Sequence, residues 1–185
     1  GLVVELDHWI GKLLDALDVS GKADETLVIL TSDHGELMGS HATFSKGKFY
    51  EECLRVPLLM RYPEKIPAGC INTSPASGVD LAPTILNYTG GLQDEEFQGR
   101  SLNPILGQNE KTPEYAYAEL GPRCCLRSSK WKYAPAEKQG PELYDLENDP
   151  YEMNNLLMTN QDSVEMVALR SELDDVIREK RFLRS

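Results

Sequence analysis

The sequence predicts an α/β protein: part of a mixed or parallel sheet with flanking helices, followed by a small α+β subdomain with an antiparallel sheet and a C-terminal helix. Three observations predict it. A helical pattern over residues 2–17 passes through a glycine turn into the apolar run Leu27 to Leu30, the order of one αβ unit. A second apolar run follows over 56–62. Beyond about residue 112, short alternating segments joined by Gly-Pro turns replace this pattern, as in an antiparallel sheet. The chain therefore divides into 1–112 and 113–185.

Each element has a local reason. Leu2, Leu6, Ile10, Leu13, Leu14 and Leu17 recur at the three- and four-residue spacing of one helix face, and Gly21 marks the stop. Residues 26–31 read as a buried strand. Residues 37–50 are polar and glycine-rich, a long loop of the kind that carries function. Tyr50 to Arg55 is a short helical turn, with Glu51 and Glu52 spaced to pair with Arg55. Residues 56–62 form a second buried strand, with Pro57 near its start. Residues 79–90 are helical, with Asp80 a candidate cap and Pro83 in the first turn, where its missing N–H is harmless.

In the second part, residues 114–120, 123–134 and 142–146 are strand candidates. Trp131-Lys132-Tyr133 reads as core with one exposed cation, and 145–155 as an acidic, Asn-rich turn. Residues 161–180 close the chain as a helix with Val164, Val167, Ala168, Leu173, Val176 and Ile177 as its stripe.

Composition removes several classes. A net charge of -11 leaves too little cationic surface for nonspecific nucleic-acid binding. No apolar run approaches the ~20 residues of a membrane span. The cysteines, Cys53, Cys70, Cys124 and Cys125, match no zinc spacing and read as packing residues, with one disulfide left open. The chain opens at Gly1 with helix-like sequence under way, which reads as part of a longer protein.

Chemistry concentrates where the first strand ends. Asp33 and His34 follow it directly, at the carboxyl end where open α/β sheets place ligands. Gly35 permits a tight turn or a close backbone approach. From position alone the pair is either a metal site or a turn cap beside a backbone-bonded imidazole. Oxygen ligands suit calcium or magnesium, and an imidazole shifts the choice toward zinc or manganese. Lys46 is either an anion clamp or a solvated lysine, with Lys48 competing for the role. His41 is a second loop candidate. No Ser, Thr or Cys sits in an activated context, and two ligands are too few to hold a metal. The constellation is incomplete within these residues.

Several motifs in order carry a resemblance: Thr26 to Glu36; Lys46-Gly-Lys-Phe-Tyr-Glu-Glu-Cys-Leu-Arg-Val-Pro-Leu; Val79-Asp-Leu-Ala-Pro-Thr84; Gly99-Arg-Ser-Leu102; and Glu142-Leu-Tyr-Asp-Leu-Glu-Asn-Asp-Pro-Tyr-Glu-Met-Asn-Asn-Leu156. With them the chain resembles the C-terminal half of a formylglycine-dependent sulfatase of the alkaline-phosphatase superfamily. The resemblance implies an alkaline-phosphatase-like sheet and the hydrolysis of a sulfate ester. Asp33 and His34 would be one pair of ligands to a divalent metal, calcium before manganese or zinc. Lys46 would contact the sulfate and stabilise the leaving oxygen, and His41 would be a second catalytic residue, matching a histidine that often follows the metal pair. The formylglycine nucleophile and the other metal pair would lie in the missing N-terminal half, so these residues alone would be inactive. That half would also cover a sheet edge and a helix face whose exposure predicts self-association. Two rivals stand beside this reading: a phosphodiesterase or phosphonate monoester hydrolase of the same superfamily, and a noncatalytic interaction module.

Overall fold

In the computed structural model, residues 1–91, 97–106, 114–137, 140–159 and 163–182 are described. The elements are α1 (Leu2–Val19), β1 (Val28–Thr31), a 3-10 turn (Ser40–Ala42), α2 (Glu51–Leu54), β2 (Leu58–Arg61), a second 3-10 turn (Gly78–Asp80), α3 (Leu81–Thr89), α4 (Asn103–Leu106), β3 (Ala116–Leu120), β4 (Arg123–Arg127), β5 (Trp131–Glu137), β6 (Gly140–Asp145), α5 (Leu156–Thr159) and α6 (Val164–Phe182). Strands β1 and β2 pair antiparallel, and β3-β4-β5-β6 form an antiparallel meander. The expected boundary at residue 112 and the first residues of the expected closing helix lie outside the described residues.

The meander is a two-faced sheet, and its alternation places every residue. One row crosses all four strands: Tyr117 opposite Leu126, Leu126 opposite Tyr133, and Tyr133 opposite Leu143. This row packs with Cys124, Leu157, Leu173 and Ile177 as the principal core under α5 and α6. Tyr133 is wholly buried yet keeps its hydroxyl satisfied. It donates to Asp174 Oδ1 at 2.9 Å and accepts from Arg170 Nε at 3.2 Å, as a buried phenol requires. The other face carries Cys125 and Ala134, which pack with Phe49 from the first part of the chain. Adjacent Cys124 and Cys125 thus point into different cores. All four cysteines are free thiols, so no disulfide forms.

Residues 123–134 are not one strand. Ser128 Oγ accepts from the backbone N–H groups of Lys130 and Trp131, a hydroxyl-made turn that folds the stretch into β4 and β5. At Pro135 the β5–β6 register shifts between Ala134 and Glu137, the place a sheet tolerates a proline.

The helix at 81–89 lies within the expected 79–90, but Asp80 does not cap it by its side chain; Asp80 is one half of a reciprocal pair that closes the 3-10 turn before it. Asp80 Oδ2 accepts from the Ser77 N–H at 2.9 Å, and Ser77 caps in return, a capping box. Asp80 Oδ1 also accepts from Arg100 N–H, and Thr84 Oγ1 accepts from Leu102 N–H. Two of the sequence motifs are therefore hydrogen-bonded to each other. The acidic turn is structural as well. Asp145 accepts from the N–H groups of Glu147 and Asn148, and Asp149 from those of Met153 and Asn154.

Three expectations are corrected. First, β1 and β2 are not buried: Leu30, Leu58 and Leu59 are 39, 38 and 58 % exposed. Helix α1 buries none of its residues, and Leu2, Val3, Leu6 and Leu13 lie open. An apolar pattern records that a face is to be covered, and the described residues do not supply the cover. Second, Lys132 is not an exposed cation; it is 2 % exposed. Third, Glu51 and Glu52 do not turn to Arg55. Glu51 reaches across 76 residues to Arg127, with Nη2 at 3.0 Å, and faces Lys132 at 3.6 Å. Glu52 faces His41 at 3.8 Å.

These charges form one buried network between the two parts of the chain. Lys132 pairs with Glu152, and Glu152 Oε2 also accepts from the Glu51 N–H at the start of α2, at 2.6 Å. Burial pushes the Glu152 carboxyl up to about 7, with the Lys132 charge offsetting only part of that rise. Burial acts the same way on Glu51, but there the Arg127 hydrogen bond and the Lys132 charge win, and its carboxyl is lowered. Removing one partner of such a pair strands the other. Lys132→Met is expected to destabilise the protein by about 3 kcal/mol or more at alkaline pH, where Glu152 must ionise, measured by denaturant unfolding. A raised carboxyl leaves stability intact below its unfolded value and erodes it as pH rises through the folded value. Without Lys132 that folded value lies higher still, so the deficit of Lys132→Met against the parent should be small near pH 4.5 and widen as pH rises above about 7, where the parent's Glu152 ionises beside its cation.

Candidate active site

The first strand delivers Asp33 and His34 to the surface, and local bonds fix their geometry. The His34 N–H donates to Asp33 Oδ1 at 2.9 Å. Ser32 Oγ contacts the same oxygen at 3.3 Å and donates to the His34 carbonyl at 2.9 Å. The His34 Nδ1 lies 2.9 Å from the Gly35 carbonyl. A carbonyl only accepts, so the ring proton sits on Nδ1 and Nε2 carries the free lone pair. That nitrogen stands 3.4 Å from Asp33 Oδ2. A hard oxygen and a borderline nitrogen therefore lie side by side. The hydrogen bond from the His34 N–H holds the Asp33 carboxyl below its ordinary value, so it is ionised at neutral pH.

Gly35 anchors this turn to the rest of the site. Its N–H donates to the Cys53 carbonyl at 2.9 Å, and a Cβ added there would fall 1.8 Å from the Glu52 carbonyl oxygen. This is a close backbone approach of the kind the glycine suggested, and it seats the metal-competent turn directly on α2.

Lys46 enters from the loop before α2. It lines the same cavity, of about 1590 Å³, as Asp33, His34, Arg55, Arg61 and Arg127. The structure thus brings Asp33, His34 and Lys46 to one hollow that is rich in cationic groups, although the chain as a whole is acidic.

His41 is placed elsewhere. Its ring stacks on Tyr50 with centroids 3.6 Å apart and planes 4° from parallel, and its backbone has φ +52°. His41, Glu52 and Glu152 bring donor atoms within 4.8 Å of one another, a set able to hold a divalent ion. Glu152 is already engaged by Lys132 and the Glu51 N–H, so an ion there would compete with an internal cation. Sequence reading missed this set because Glu152 joins residues a hundred positions away. The one available signal was its place inside the Asp149-Pro150-Tyr151-Glu152 motif. Arg123 and Arg127 were missed too, although their alternation with Cys125 on one face of a strand was there to be read.

The fold defines a class: a C-terminal domain of the alkaline-phosphatase and sulfatase superfamily. The chain belongs to the family described as N-sulphoglucosamine sulphohydrolase, C-terminal, whose model matches residues 39–180. It is similar to the N-acetylglucosamine-6-O-sulfatase of Bacteroides thetaiotaomicron, with 36 % identity over 83 % of this chain and 30 % of that protein. A structure solved with its substrate D-glucosamine-2-N,6-O-disulfate superposes with a TM-score of 0.81 at 33 % identity, over 97 % of this chain and 39 % of the other. The phosphonate monoester hydrolase of Agrobacterium radiobacter gives the same TM-score at 27 % identity, over 96 % and 40 %. The chain spans about a third of the length of the curated relatives it matches. Among the described residues, no helix is long and apolar enough to cross a membrane.

The contact at Gly35 can be tested. Gly35→Ala is expected to cost about 1–3 kcal/mol, as overpacking does, because the clash is with backbone rather than a flexible side chain. Denaturant unfolding reads that loss, and unchanged stability would show that the turn is not seated on α2.

Proposed function

We propose that this chain is the C-terminal portion of a sulfate-ester hydrolase, and that Asp33, His34 and Lys46 are its share of the active site. The observation that carries this reading is that all three line one broad cavity, which includes the carboxyl end of β1. Asp33 and His34 would hold a divalent cation, calcium by preference, through Oδ2 and Nε2. The fit is partial, because two donors leave the rest of the coordination to residues outside this chain. Bound there, the cation supplies positive charge beside the sulfuryl oxygens. The formylglycine nucleophile and the second metal-ligand pair belong to the portion that completes the relatives' length.

Each residue then has a task. Lys46 places an ammonium beside the leaving oxygen and offsets the charge that grows there as the S–O bond breaks. Asp33, ionised and oriented by the His34 N–H, meets the cation without further reorganisation. His34 keeps its proton on Nδ1 through the Gly35 carbonyl and so presents Nε2. His41, stacked on Tyr50, steadies the loop that carries Lys46. A sulfated sugar is the substrate class we favour, by analogy with the similar proteins that act on such sugars. A phosphonate monoester hydrolase is the second reading, favoured by the equal structural likeness to that enzyme.

The test uses the whole protein that carries this chain, assayed on sulfate, phosphate and phosphonate esters with and without chelator. We expect sulfate-ester turnover that chelation abolishes and calcium restores, and a loss of about 10²- to 10³-fold in kcat for Lys46→Ala, the scale for removing one group that stabilises developing charge. Turnover confined to phosphorus esters would overturn the sulfatase assignment, and activity indifferent to chelation would overturn the metal role of Asp33 and His34.

A further inference from the structure

Lys46 stands exposed on a loop, and a charge meant to meet one oxygen must be held in place. The next residue cannot hold it, since Gly47 has no side chain and turns the backbone at φ +90°. The restraint comes from the tip of the β3–β4 hairpin. Arg123 Nη2 donates to the Gly47 carbonyl at 3.0 Å. Its guanidinium lies 5.6 Å from the Phe49 ring centre, and Phe49 is buried against Cys125 and Ala134. A Cβ at Gly47 would meet Leu120 Cδ2 at 3.6 Å, so the hairpin touches the turn from a second side. Four residues along the same strand face, Arg127 grips Glu51. One strand therefore fixes both ends of the segment from Gly47 to Glu51.

Resting on the role proposed for Lys46, we propose that Arg123 is a positioning residue: it sets where the Lys46 ammonium stands relative to the leaving oxygen. Arg123 is not among the residues lining the cavity, whereas Lys46 and Arg127 are. It acts through the loop, and the C-terminal sheet thereby enters the chemistry without touching substrate.

The experiment compares phenyl sulfates of graded leaving-group pKa, turned over by the whole protein and by its Arg123→Ala, Arg123→Lys, Lys46→Ala and double variants. Loss of a group that stabilises the leaving oxygen penalises poor leaving groups most. We expect Arg123→Ala to lower kcat about 10-fold or more on phenyl sulfate, within the ~10²-fold range of a small misplacement, and far less on 4-nitrophenyl sulfate. Arg123→Lys, which keeps a donor for the Gly47 carbonyl, should recover part of the loss. In the Lys46→Ala background, Arg123→Ala should add nothing, as coupled residues behave. An equal loss on every substrate, or a loss that multiplies with that of Lys46→Ala, marks a merely structural role and overturns the proposal. If Lys46→Ala leaves the leaving-group dependence unchanged, or no sulfate ester is turned over, the functional reading of Lys46 fails instead. Hydrogen exchange then decides the positioning by itself: Arg123→Ala should speed exchange over residues 45–50 while leaving 131–134 protected. Unaltered exchange over 45–50 overturns the proposal whatever the activity.

Discussion

The structure depends on one buried carboxylate. Glu152 is drawn from a turn a hundred residues beyond α2, yet it caps the first N–H of that helix and pairs with Lys132 on the sheet. Arg127, Lys132 and Tyr144 form a row across β4, β5 and β6, and Glu51 lies on this row. Through it the meander is joined to the segment that carries Lys46, and α2 in turn receives Gly35. Burying Glu152 and Lys132 beside the half-buried Glu51 and Arg127 is costly, and Glu152 additionally occupies a left-handed conformation with φ +55°. Such strain persists where surroundings over-determine a residue, and here two partners, Lys132 and the Glu51 N–H, converge on one side chain.

The two faces of the meander do different work for this reason. One face builds an ordinary core, with Tyr117, Leu126, Tyr133 and Leu143 under α6. The other is partly polar and serves as a template for the loop above it. The C-terminal sheet therefore holds the loop that carries Lys46, while Asp33 and His34 draw their geometry from local bonds with Ser32 and Gly35. The metal-competent pair is nearly self-sufficient, and the lysine depends on residues far along the chain.

That contrast explains what was legible in the sequence. The turn at Asp33-His34-Gly35 could be read because its logic is local: a strand ends, two polar side chains follow, and a glycine lets the backbone close in. The start of α3 and the alternation of 114–120 were readable on the same ground. The burial of Lys132 was not, because a lone lysine in an alternating strand looks solvated until its distant carboxylates are known. Residues 123–134 read as one strand because Ser128 announces its turn only through hydrogen bonds from the N–H groups of Lys130 and Trp131. The openness of β1 and α1 was likewise invisible as a local property. Their apolar patterns specify a covered face without naming what covers it.

The adjacent thiols of Cys124 and Cys125 carry a consequence of their own. Strand geometry turns one toward α6 and the other toward Phe49, both 1 % exposed, and burial raises the Cys125 thiol well above its ordinary value. Neither thiol reacts while its own cover is closed. Neighbouring atoms in the chain thus become independent reporters of two separate openings, α6 peeling from one side and the Lys46 loop lifting from the other. Which of the two is alkylated first would tell which half of the domain breathes more.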